Sequence, residues 1–119
     1  MASKKQQVAV VAVGGNSLIQ DEKRVTVADQ YQAAWNTMVH VCDMLEQGFN
    51  VVVTHGNGPQ VGYVLMRSEI AAKQLHEVPL DSCVADTQGA IGYNFQMALA
   101  NEFKKRGMKR NAVTVVTQV

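Results

Sequence analysis

Two short segments carry residue types suited to holding an anion: Gly14-Gly15-Asn16-Ser17 and Gly56-Asn57-Gly58-Pro59-Gln60. Glycine lets backbone N–H groups approach a ligand with no side chain in the way. Successive N–H groups in such turns form concave nests that bind anions. A helix starting at Pro59, where the missing N–H costs nothing, would add its positive dipole end. Asn16 and Asn57 add amide donors and acceptors. Neither segment fits the P-loop or the dinucleotide-binding glycine pattern. Glycine after a strand also serves as a plain turn, so either loop alone leaves a structural reading open. Two such loops side by side favour a phosphate or carboxylate site.

Other reactive residue types are scattered. His40, His55 and His76 lack metal-ligand spacing, and His55 adjoins the second loop, where a substrate contact and a structural role are both open. Asp86 and Glu102 stand isolated on a helical stretch and form no acid–base pair. Cys42 and Cys83 belong to no CxxC pair and read as small core or interface residues. No Ser-His-Asp arrangement stands out.

The loops need elements to position them. Val8-Ala9-Val10-Val11-Ala12-Val13 is a continuous apolar run bounded by glycine, suited to a strand buried on both faces. Thr26-Val27-Ala28-Asp29 has the form of a capping box with Asp in place of Glu or Gln. After it Val27, Tyr31, Ala34, Trp35, Met38, Cys42 and Leu45 recur on one helical face, and Gly48 ends the helix. Phe49 to Thr54 predicts a second buried strand leading into the second loop. Val61 to Leu75 carries a weaker helical pattern before Pro79. Asp81 to Arg106 predicts a third helix, closed by Lys104, Lys105 and Arg106 against its negative end and by Gly107. Its interior Gly89 and Gly92 predict close approach by another helix or subunit. Ala112 to Thr117 predicts a third strand. This β-α-β-α-α-β order predicts a parallel sheet with helices on its faces. Both loops then leave the same edge, where ligands of such sheets bind.

The composition fits a soluble globular domain. The 119 residues hold 11 Lys+Arg and 10 Asp+Glu, a net charge of +1, and are 47% hydrophobic. Near-neutrality argues against a nucleic-acid binder, and ample apolar content argues against disorder. No run reaches the roughly 18 apolar residues of a membrane span. Val8 to Val13 is too short for a signal-peptide core. A cytoplasmic location and a single unit over residues 1–119 are expected, because no linker divides the chain.

Val11-Ala12-Val13-Gly14-Gly15-Asn16-Ser17-Leu18 resembles the opening glycine loop of the carbamate kinases, within the amino acid kinase family. Val53-Thr54-His55-Gly56-Asn57-Gly58-Pro59-Gln60-Val61-Gly62 resembles their second loop. Pro79-Leu80-Asp81 with Thr87-Gln88-Gly89-Ala90-Ile91-Gly92-Tyr93 resembles a third signature, and Thr114 to Val119 a following strand. Acetylglutamate and uridylate kinases typically carry a lysine where this chain has Ala12, which favours the carbamate kinase branch.

The resemblance implies a three-layer α/β/α fold with a mainly parallel sheet, here truncated after the third strand. It implies reversible phosphoryl transfer between ATP and carbamate, giving ADP and carbamoyl phosphate with Mg²⁺, in arginine metabolism. Gly14, Gly15, Asn16, Gly56, Asn57 and Gly58 would hold the acceptor and the travelling phosphoryl. A homodimer through the helix containing Gly89 and Gly92 is implied. The family's nucleotide-binding part, its catalytic lysines and the aspartate that orients them lie beyond the equivalent of Val119. Lys4, Lys5, Lys23, Lys73, Lys104, Lys105 and Lys109 match none of those lysines. The 119 residues alone are therefore expected to be inactive, because phosphoryl transfer needs stabilisation of spreading negative charge. Two other readings stand beside this one: a non-catalytic anion-binding or dimerisation module, and a kinase of another small carboxylate.

Overall fold

A computed structural model of the chain describes residues 6–19 and 21–118. Lys4, Lys5, Gln20 and Val119 lie outside the described residues. Two strands, β1 (Val8–Val13) and β2 (Asn50–His55), pair in parallel with Val8 opposite Asn50 and Val13 opposite His55. Three helices follow the sequence order: α1 (Val27–Glu46) between the strands, then α2 (Gly58–Ala71) and α3 (Leu80–Arg106). The fold class is α/β.

Several helix boundaries have a local cause. At α1 the capping box forms as expected: Thr26 Oγ1 accepts from Asp29 N at 3.2 Å, and Asp29 Oδ2 accepts from Thr26 N at 3.1 Å. Such a pair satisfies two of the N–H groups a helix start leaves open. Gly48, with φ of 95°, turns the chain after α1. Gly107, with φ of 67°, ends α3, and both are in the left-handed region where glycine is favoured. Pro59 sits in the first turn of α2 as expected. α2 stops at Ala71, short of the Leu75 its pattern reaches.

The core lies between α1, α3 and one face of the two strands. Ala34, Met38 and Cys42 of α1 meet Ile91, Phe95, Ala98, Leu99 and Phe103 of α3, with Val13 and Leu18 at the edge. Burying a side chain the size of Met38 contributes about 1.5–3 kcal/mol. Val11, Val51 and Val53 pack against this cluster. The opposite strand face differs from the expectation of burial on both sides: Val8, Val10 and Val52 are exposed. α1 and α3 both pack against the odd-numbered face, leaving the alternate side chains to point away from them.

Glu102 is not isolated, contrary to its sequence reading. It is buried and accepts from Arg106 Nε at 2.8 Å and from Trp35 Nε1 at 3.3 Å. Arg106 also pairs with Asp43 at 2.7 Å and Glu46 at 2.9 Å, and donates to Val39 O at 3.2 Å. The arginine expected only to favour a helix end therefore ties α3 to α1. Its charge and hydrogen bonds hold the Glu102 and Asp43 carboxyls below the usual carboxylate range. Cys42 and Cys83 are both free and buried, and burial pushes the Cys42 thiol up.

One further expectation is corrected. Residues 112–117 are irregular, not a third strand. The segment is tied to α3 instead: Gln96 Nε2 donates to Ala112 O at 3.2 Å, and Gln88 exchanges two hydrogen bonds with Thr117 at 2.8 and 3.0 Å. Residues of this segment and of β2 line the two sides of a cavity of about 740 Å³, and β2 is paired with β1 alone among the described residues. The two glycines of α3 stand in different surroundings within this chain. A Cβ on Gly92 would overlap the Thr114 side chain, whereas one on Gly89 would meet nothing within 4 Å. Gly92 makes room for this chain's own 112–117 segment.

Candidate anion site at the two glycine loops

Parallel pairing in register brings the two loops together. Val13 and His55 end their strands opposite each other, and Gly56 N donates to Val13 O at 2.8 Å. Gly14 and Gly56 leave the same sheet edge, as the alternation of elements predicts. The first loop runs into a single 3-10 turn, Gly15–Leu18. The second runs directly into α2.

The loops touch main chain to main chain. A Cβ on Gly15 would lie 3.0 Å from Asn57 N and 3.1 Å from the Gly56 carbonyl carbon. A Cβ on Gly56 would lie 3.0 Å from Gly15 N. No side chain larger than hydrogen fits at either position without the loops moving. Gly14 and Gly58 are freer, with nothing nearer than 4.0 Å and nothing within 4 Å respectively.

Neutral hydrogen bonds set the loop conformations. Gly14 O accepts from Ser17 N at 3.0 Å and Ser17 Oγ at 2.6 Å. Asn57 Nδ2 donates to Thr87 Oγ1 at 2.8 Å, and Thr87 Oγ1 donates to Val84 O at 2.7 Å. The Asn57 side chain is thus drawn towards α3, while Asn16 is exposed. His55 Nδ1 lies 3.1 Å from Gly56 O, and its ring meets Phe95 edge-on at 5.8 Å. These two contacts give His55 a bracing role at the second loop. Gln60, buried in the first turn of α2, donates from Nε2 to Gly15 O at 3.3 Å.

Gln60 and Thr87 are the residues that sequence reasoning missed. Both stand inside recognisable motifs, but nothing in their spacing shows that Gln60 reaches the first loop or that Thr87 supports the second. His40 is solvent-facing, at 3.5 Å from Asp43. Asp86 and His76 are exposed.

The arrangement suits an anion. The first-turn N–H groups of α2 lack intrahelical acceptors, and the helix start carries a partial positive charge. The side chains that brace the loops are amides, hydroxyls and one imidazole, with no carboxylate. Mg²⁺ prefers carboxylate and water oxygens, so these residues do not fit it. Among the described residues no three or more His, Cys, Asp or Glu gather to hold a metal. Among the same residues no helix is long and apolar enough to cross a membrane.

Comparison with known proteins finds relatives in sequence and in fold. No family model matches the chain. It is 49% identical over 116 residues to the carbamate kinase-like protein YahI of Escherichia coli, covering 96% of this chain and 36% of that protein. It is 40% identical over 112 residues to the carbamate kinase of Pyrococcus horikoshii, covering 92% and 35%. A solved carbamate kinase of Giardia lamblia bound to AMP-PNP superposes with a TM-score of 0.87 at 32% identity, over 92% of this chain and 38% of that one. The chain therefore spans about a third of the length of the curated relatives it matches. With likeness in sequence and in fold over nearly all of its residues, the chain belongs to the carbamate kinase family, matching the N-terminal portion of its members.

Proposed function

We propose that these residues form the carbamate- and phosphoryl-binding part of a carbamate kinase-like phosphotransferase, which interconverts ATP and carbamate with ADP and carbamoyl phosphate. The observation that carries this reading is the backbone contact between Gly15 and Gly56, which sets the two glycine loops side by side at one sheet edge. Carbamate and a transferring phosphoryl are both small anions, and phosphoryl transfer rests mainly on positioning and charge stabilisation. Gly14, Gly15 and Asn16 on one side and Gly56, Asn57 and Gly58 on the other would hold them. Mg²⁺ would arrive with ATP or ADP, neutralising phosphate charge, and is assigned to no residue here. A cytoplasmic location and a role in arginine metabolism belong to the same reading.

The residues bracing the loops carry no fixed positive charge, and removing charge stabilisation from such a site costs orders of magnitude in rate. These 119 residues therefore bind the anion without turning it over. The test measures carbamoyl phosphate binding and ATP formation from ADP and carbamoyl phosphate on the same sample. Saturable binding without ATP formation is expected. Absence of binding refutes the site, and ATP formation at an ordinary kinase rate refutes the division of labour.

Association into a homodimer is also proposed, through α3. Gly92 is used within the chain, so the contact would fall on exposed apolar residues such as Leu80 and Tyr93. Light scattering that gives the mass of one chain at all concentrations would exclude it.

A further inference from the structure

Gln60 is only 7% exposed, yet its side-chain Oε1 has no hydrogen-bond partner. A buried acceptor left without a donor is unfavourable. An apolar side chain of the same length would avoid that penalty. What Gln60 provides in return is the Nε2–H donated to Gly15 O, across 45 residues of sequence.

We infer that Gln60 is a positioning residue: it fixes the peptide between Gly15 and Asn16 so that the Asn16 N–H faces the anion. The inference rests on reading the two loops as an anion site. In a trans peptide the C=O and the following N–H point in opposite directions. The Gly14 carbonyl is held by Ser17, and the Gly15 carbonyl by Gln60. With both carbonyls held, the N–H groups of Gly15 and Asn16 turn the other way. They lie in the first turn of one 3-10 segment, so both point back along its axis. The Gly15 nitrogen lies 3.0 Å from where a Cβ on Gly56 would stand, so this end of the segment abuts the second loop. Gln60 stands in the first turn of α2, which itself starts from the second loop. One side chain therefore sets the first loop relative to the helix that carries the second.

Gln60→Met keeps the length of the side chain and removes both the donor and the unpartnered acceptor. Sulfate is the probe, because its charge is constant across the working pH range. The expected result is sulfate binding about tenfold weaker than in the native sequence, the effect of one misdirected charge-assisted hydrogen bond. The thermal midpoint should be unchanged or raised, which a merely structural role would not give. Gln60→Glu is the second variant. Its ionised carboxylate repels Gly15 O, whereas its protonated form can donate to it, so its deficit relative to the native chain should shrink as pH falls from about 7 to about 5. Equal sulfate affinity in the native and both variant chains would overturn the role of Gln60 and leave the loop site standing. No sulfate binding by the native chain would overturn both.

Discussion

Gly15 and Gly56 meet backbone to backbone, so that a Cβ on either would press within 3.0 Å of main chain near the other. The contact follows from parallel register: Val13 and His55 end their strands opposite each other, and each is followed by glycine. Gly15→Ala or Gly56→Ala must therefore spread the loops. Each should cost about 1–3 kcal/mol of stability, as overpacking does, and weaken phosphate binding about tenfold or more. Gly58→Ala, with open space around it, is the control. Calorimetry and phosphate titration of the three variants check this.

The two glycines of α3 should respond with opposite signs. Gly89→Ala adds a methyl in open space on a helix and should stabilise the chain by roughly 0.5–1 kcal/mol. Gly92→Ala collides with Thr114 and should release the 112–117 segment, seen as faster amide exchange at Thr117, whose N–H is bonded to Gln88. Stabilisation by both would contradict the account.

Much of this was legible in the sequence. The capping box at Thr26, the stops at Gly48 and Gly107 and the parallel pairing behind both loops all follow from local residue patterns. What lay outside the sequence was long-range. Residues 112–117 have strand composition, but a strand exists only against a partner, and Gly92, Gln88 and Gln96 hold this segment on α3. Glu102 looked solitary because its arginine is one turn on and its tryptophan lies 67 residues away. Gln60 and Thr87 look like ordinary helix residues until the fold sets them against the loops.

Thr87 supports the second loop through one hydroxyl that both accepts from Asn57 and donates to Val84 O. Thr87→Val keeps the shape and leaves the Asn57 amide without this acceptor, which should cost about 1–3 kcal/mol. Thr87→Ser should retain the bond. Denaturant unfolding of both variants measures the difference, and equal losses would contradict the assigned role.

Arg106 makes stability depend on acid pH. The Glu102 and Asp43 carboxyls are lowered in the folded chain, chiefly by hydrogen bonds from Arg106. Groups with a depressed folded pKa contribute stability that is present above their unfolded value, about 4, and lost as pH falls through the folded value. The thermal midpoint should fall below about pH 4. Arg106→Met should lower the midpoint at neutral pH and flatten the acid decline. An acid decline as steep as that of the native chain would contradict this.

The proposed function requires the two loops to form one anion site. Backbone amide NMR of the chain titrated with inorganic phosphate tests it most directly. The account predicts saturable shifts concentrated at Gly15, Asn16, Gly56, Asn57 and Gly58, with one affinity shared by both loops. Shifts confined to one loop, spread over surface lysines and arginines, or absent altogether would contradict it.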